Sequence, residues 1–141
     1  DPTLIELYGT RTLLTHGDTL CLDDTDYLAF RGKVRDAAWQ AQFLGQPIEV
    51  RRKLALQLRT DSEASQEAKS AEIMDVAPRA VEQAFRDYAC ARMIHGHTHR
   101  PARHEYRIDG RLCERWVLGD WYQRGSYLAC DPGGCTAVAF A

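Results

Sequence analysis

The residue types most able to do chemistry in this chain lie in one short stretch, His95-Gly96-His97-Thr98-His99-Arg100-Pro101. Neutral imidazole is a common ligand for transition metals, and three histidines within five residues beside a glycine can direct ring nitrogens toward one point. In an extended segment, residues two apart share a face, so His97 and His99 are expected to project together. A second histidine-glycine step, His16-Gly17-Asp18, closes an earlier apolar run, Thr12-Leu13-Leu14-Thr15. Two strands that both end in histidine at a turn place their loops at the same edge of a sheet, where sites on open α/β sheets gather. Asp18 can orient a histidine or cap the turn that follows. The alternative for any one of these histidines is a hydrogen-bonded core residue or a solvated surface one.

The elements needed to hold these groups are readable in outline. Residues 91–94 form a short apolar strand leading into the histidine turn. Residues 4–14 read as a hairpin with a glycine-containing turn. Asp23-Asp24-Thr25-Asp26 is a cap-forming, acidic start to a helix carrying Tyr27, Phe30 and Val34. Trp39, Phe43, Leu44, Ile48, Val50, Leu54 and Leu58 then continue at helical spacing, with a break at Gly45-Gln46-Pro47. A further helix is predicted over residues 65–74, and another from Pro78 to about residue 88, with proline at its first turn. Hairpins are predicted around Asp109-Gly110 and around Pro132-Gly133-Gly134.

Composition sets the class. At 141 residues, one domain is the default; 45% hydrophobic and 27% charged residues are ordinary for a soluble, intracellular α/β protein. A net charge of −2 gives no footprint for nucleic acid, and none is expected as a partner. Five cysteines, odd in number and without a C-x-x-C pair, argue against a disulfide framework and a zinc ribbon. Cys21 reads as a small buried residue near His16. No run approaches the ~20 apolar residues that span a bilayer.

Strand-His-Gly-Asp followed far downstream by Gly-His-Thr-His resembles the C-terminal half of the calcineurin-like metallophosphoesterase signature. Beyond it, His16-Gly17-Asp18-Thr19-Leu20-Cys21, Asp23-Asp24, Tyr27, Phe30-Arg31, Ser70, Ile73-Met74-Asp75-Val76 and Ile94 through Pro101 are similar to the UDP-2,3-diacylglucosamine diphosphatases of bacterial lipid A synthesis. The likeness runs to Val117-Leu118-Gly119 and Gly125-Ser126 and is weakest between Asp36 and Arg59. It implies an α/β fold: the C-terminal part of a metallophosphoesterase β-sandwich flanked by helices, with a helical lid inserted at about residues 23–75. The family's opening motifs, Asp-x-His, Gly-Asp and Gly-Asn, do not occur ahead of Leu13. Residues 1–141 are therefore expected to be the C-terminal portion of a single, longer metallophosphoesterase domain.

The same resemblance implies hydrolysis of the diphosphate of UDP-2,3-diacylglucosamine to UMP and lipid X by a water activated between two Mn²⁺ ions. His16 and His97 are implied ligands of one ion and His99 of the other, with His97 also beside the phosphate as a catalytic residue. Asp24, Ser62, Gln66 and Lys69 are implied substrate contacts; read without the resemblance, the last three are a solvated helix face at i, i+3 and i+4 spacing. His95 and His104 match no ligand position. The apolar and basic residues 37–59, with Arg51-Arg52-Lys53 among them, read from pattern alone as core with a solvated face. The resemblance makes them a lid for acyl chains. It also implies peripheral attachment to the anionic, cytoplasmic face of the bacterial inner membrane. Two other readings remain: a related phosphoesterase with a soluble substrate, and an inert half-domain.

Overall fold

The structure, a computed structural model, describes residues 1–122 and 124–140. The chain divides into two compact units, one of Asp1–Leu22 with Asp75–Ala141 and one of Asp23–Met74.

The first unit is built on a mixed five-stranded sheet. Strands β1 (Thr3–Leu7) and β2 (Thr10–Thr15) form an antiparallel hairpin. Its two turn residues, Tyr8 and Gly9, have φ of 51° and 75°, the left-handed pair of a turn whose twist matches the flanking strands. Strand β3 (Arg92–His95) lies parallel to β2 on one side and to β5 (Arg111–Val117) on the other. Strand β4 (Ala102–Ile108) closes the order β1-β2-β3-β5-β4 as the antiparallel partner of β5. The β4–β5 turn at Asp109-Gly110 is left-handed in the same way, with φ of 50° and 80°. Strands β6 (Gly125–Asp131) and β7 (Gly134–Phe140) form a separate two-stranded sheet. The hairpins predicted at all three turns are present.

The parallel step from β2 to β3 needs a crossover, and the helix Pro78–Asp87 lies in it. Proline stands in its first turn, where the missing N–H costs nothing. Val81 and Phe85, one helical turn apart, are both fully buried and pack with Leu13, Leu20, Met93, Ile108 and Cys113. The Phe85 ring meets Tyr106 at 5.6 Å between centroids. Each such side chain contributes about 1.5–3 kcal/mol by leaving water. β3 is buried along its whole length, as expected for a strand with parallel neighbours on both sides. Its one cation, Arg92, is paired with Glu114 directly across in β5, and Arg103 adds a second bond to Glu114 at 2.9 Å. Burial pushes the Glu114 carboxyl up, but the hydrogen bonds from Arg92 and Arg103 outweigh it and hold the group below its ordinary value.

The second unit is helical. Asp24 caps α1 (Thr25–Arg35) by accepting from the Tyr27 amide at 3.1 Å, and Asp36 caps α2 (Ala37–Leu44) through the Trp39 amide at 2.8 Å. Gly45 ends α2 and Pro47 precedes α3 (Ile48–Glu67), so the predicted break is where it was expected. The crossover helix Pro78–Asp87 is α4. The helix predicted over 65–74 does not form. α3 instead continues through Thr60-Asp61-Ser62, carried by i, i+4 pairs between Arg59 and Glu63 and between Gln57 and Asp61. Residues 71–74 are turn. No residue of α1, α2 or α3 is buried, and among the described residues no helix is long and apolar enough to cross a membrane.

Candidate metal centre

The parallel register of β2 and β3 sets Thr15 beside His95, so the two histidine-glycine steps leave the sheet at the same level. The Gly96 amide donates to the His16 carbonyl at 3.1 Å, which ties one turn to the other. His16 and His97 then face each other, ring centroids 5.0 Å apart and edge to face at 69°. His16 is exposed and His97 half-buried.

His97 and His99 depart from the extended geometry expected of them. Both are left-handed, at φ of 63° and 51°, and the Thr98 amide closes back on the Gly96 carbonyl at 2.8 Å. The segment past Gly96 is a tight turn, so the two-residue alternation of a strand does not apply. His99 is exposed, with Nδ1 3.6 Å from Oδ2 of Asp120.

Below the turn sits a rigid support. His95 is 1% exposed. Its Nδ1 donates to the Gly96 carbonyl at 2.9 Å, and its Nε2 accepts from Nη1 of Arg115 at 2.9 Å. Arg115 in turn donates from Nε to the Tyr106 hydroxyl at 3.0 Å. Burial, with Arg115 adding to it, lowers the His95 pKa to about 4, so the ring is neutral and its tautomer is fixed by these two partners. Gly17 explains its own presence. It has φ of 101°, and a Cβ there would come within 2.6 Å of His95 Nδ1. Only glycine lets the His16 turn lie against His95. Asp18 is buried and accepts from the Thr19 amide at 2.9 Å, a bond that holds the turn. Cys21 is fully buried, as expected of a small core residue. Arg100 pairs with Asp75 at 2.7 Å and fastens the loop leaving the site. His104 is exposed on β4.

Among the described residues, no group of three or more His, Cys, Asp or Glu side chains converges as a cage. What the chain offers is a facing imidazole pair, His16 and His97, with His99 nearby in sequence and turned to a carboxylate. Nitrogen donors of this kind suit a first-row divalent ion as part of a ligand set, and the set as it stands needs oxygen donors to hold manganese well.

In the helical unit, Asp24 and Lys69 are brought together as an ion pair whose side chains are both largely shielded, and Asp26 lies 3.9 Å from the same ammonium. Ser62 and Gln66 are exposed on α3, whereas Lys69 lies beyond the end of that helix. The i, i+3, i+4 face read from sequence is therefore cut short at its third member.

Sequence reasoning missed Arg115, Tyr106 and Asp120. Arg115 sits in an unremarkable strand pattern and meets His95 from 20 residues away, a pairing no local spacing reveals.

No family model matches the chain. Among curated proteins, the UDP-2,3-diacylglucosamine hydrolase of Xanthomonas campestris pv. campestris (strain ATCC 33913) is 52% identical over 141 residues, which covers 95% of this chain and 57% of that protein. The enzyme of the same name from Xanthomonas oryzae pv. oryzae (strain PXO99A) is 49% identical over 148 residues, 100% of this chain and 60% of its own length. That from Aromatoleum aromaticum is 48% identical over 134 residues, covering 95% and 55%. The resemblance carried by the histidine motifs thus extends along essentially the whole chain, which spans between 55% and 60% of the length of these relatives.

Proposed function

We propose that this chain is part of a UDP-2,3-diacylglucosamine hydrolase, which cleaves the substrate's diphosphate to UMP and 2,3-diacylglucosamine 1-phosphate (lipid X) in lipid A synthesis. The observation that carries the reading is the facing pair His16 and His97, from the two motifs most specific to the resemblance, in a chain about half identical to enzymes of that name.

On this reading the mixed sheet and its crossover helix are the C-terminal part of a calcineurin-like metallophosphoesterase sandwich. His16 and His97 hold one Mn²⁺ and His99 the other. The carboxylate ligands of the Asp-x-His, Gly-Asp and Gly-Asn motifs come from sequence outside these residues. When bound, such a pair of ions polarises a phosphoryl oxygen and lowers the pKa of water to near neutrality. The chain's own contribution is placement. Arg115 and Gly96 fix His95, His95 backs Gly17, and the His16 and His97 turns inherit that rigidity, which keeps nitrogen donors preorganised. His97, half-buried, is the group set beside the phosphate.

Asp24, Ser62, Gln66 and Lys69 are the proposed substrate contacts, with Lys69 serving a phosphate as a point charge. That role requires its ammonium to be shared with Asp24 or released from it. The exposed Leu44, Ile48 and Leu54, with Arg51, Arg52 and Lys53 among them, are proposed to serve the acyl chains at an anionic membrane surface, placing the enzyme peripherally on the cytoplasmic face of the inner membrane.

The test uses the intact polypeptide. His97→Ala and His99→Ala are each expected to cut turnover of UDP-2,3-diacylglucosamine at least about 100-fold, more than loss of a ligand's supporting partner costs, and to lower bound manganese. A His99→Ala enzyme with near-normal turnover and full manganese overturns the ligand assignment. Faster hydrolysis of a cyclic nucleotide than of the UDP-acylsugar overturns the substrate.

A further inference from the structure

Two of the chain's five cysteines lie on the β6–β7 hairpin, away from the histidine turns in sequence. The strand register pairs Cys130 directly with Cys135, one step in from the Asp131–Gly134 pair that flanks the turn. Residues directly opposed on antiparallel strands have Cα atoms about 4.5–5.5 Å apart, inside the range a disulfide requires. The two Sγ atoms stand 2.7 Å apart. The turn is held by its own bond, the Gly133 amide donating to Asp131 Oδ1 at 2.7 Å. The other three cysteines differ: Cys21, Cys90 and Cys113 are all buried, whereas Cys130 and Cys135 are both partly open to solvent. Cys135 also lines an open cleft of about 500 Å³ with Arg92, Cys113, Glu114 and Gly134.

We propose that Cys130 and Cys135 form a redox-active dithiol, which closes to a cross-strand disulfide by exchange with a small-molecule disulfide of the glutathione class. Cys130 attacks as the thiolate. It bonds to one sulfur of the external disulfide and expels the other as a thiolate. Cys135 then gives its proton to solvent, attacks Cys130 Sγ and expels the second small thiolate, which like the first takes up a proton. The protein loses two hydrogens with their electrons, and the external disulfide gains both as two thiols. Burial, and after it the hydrogen bond with Cys130, push the Cys135 thiol up to about 12. The loop so closed is only a few residues long, so little loop entropy is removed and the product is best read chemically rather than from melting.

The experiment treats the folded full chain with oxidised glutathione, then denatures it, alkylates the free thiols and maps peptides by mass. The expected product lacks two hydrogens, bears no glutathione, and has Cys130 linked to Cys135 while Cys21, Cys90 and Cys113 remain alkylatable; dithiothreitol reverses it. In Cys135→Ser the exchange stops at a stable glutathione adduct on Cys130. Both hairpin cysteines remaining alkylatable in the wild-type chain, both carrying stable adducts, or a link to one of the buried cysteines each overturn the proposal. So does persistence of the two-hydrogen loss when both positions are serine.

Discussion

The sheet unit and the helical unit use their apolar residues in opposite ways. In the first, Leu13, Val81, Phe85 and Met93 are at most 1% exposed and close on one another between the sheet and α4. In the second, Leu44 is 62% exposed and Leu56 67%, and no helix buries a single residue. Internal order comes there from caps at Asp24 and Asp36, the stacked Trp39 and Phe43 rings 5.2 Å apart, and the Asp24–Lys69 pair. The contrast separates two tasks. Holding histidine turns in place demands side chains that cannot move, whereas exposed aliphatic groups flanked by cations are what an amphiphilic ligand or surface would require.

The strongest way to break this contrast is to remove matched apolar groups from each unit. Phe85→Ala is expected to cost about 3–5 kcal/mol, as large core truncations do. Leu56→Ala, with nothing buried to lose, should change stability by less than about 0.5 kcal/mol. Denaturant unfolding of both variants checks the pair; comparable losses would mean that the helices are as tightly cored as the sheet.

A smaller effect sharpens the link between core and site. Gly17→Ala forces a side chain into a left-handed position and against His95, so a loss on the order of 2 kcal/mol is expected. On the proposed function, turnover by the intact polypeptide should fall with it, because the substituent displaces either the His16 turn or the His95 support. Unchanged melting and turnover would show that the two turns are not wedged together.

A salt-dependent effect belongs to the helical face. Arg52 and Lys53 are exposed, and reversing both to glutamate should weaken sedimentation with anionic vesicles. Near a charged membrane each such residue contributes about 1 kcal/mol, and the difference should shrink as salt rises. Binding that is absent from the outset would remove the membrane from the picture and leave the exposed leucines to another ligand.

What could be read from sequence follows the reach of the interactions. The turns at Asp109-Gly110 and at the β1–β2 hairpin are set by one or two residues that accept positive φ, and α4 announces itself with Pro78 at its first turn. These are local and were legible. The continuation of α3 past Arg59 was not, because Thr60, Asp61 and Ser62 have weak helix propensity and the pairs that override it are seen only once the helix exists. The left-handed turn at His97 and His99 was hidden because an alternating pattern after a strand reads as more strand. Least legible were bonds between distant residues: Arg115 with His95, 20 positions apart, and Lys69 with Asp24, 45 apart. Histidines at turns were visible as candidates; the cation fixing the buried one was not.

The parallel pairing of β2 with β3 also has a consequence for how the chain can vary. The helical segment leaves the sheet unit after Leu22 and returns at Asp75, so it is an excursion within the long loop that this pairing must close during folding. Closure entropy grows only with the logarithm of loop length, and doubling the loop costs about 0.6 kcal/mol. The excursion can therefore be lengthened, shortened or exchanged with little penalty to assembly of the two histidine turns. Such freedom leaves its length and sequence open to drift while the strands on either side of it still meet in the same register.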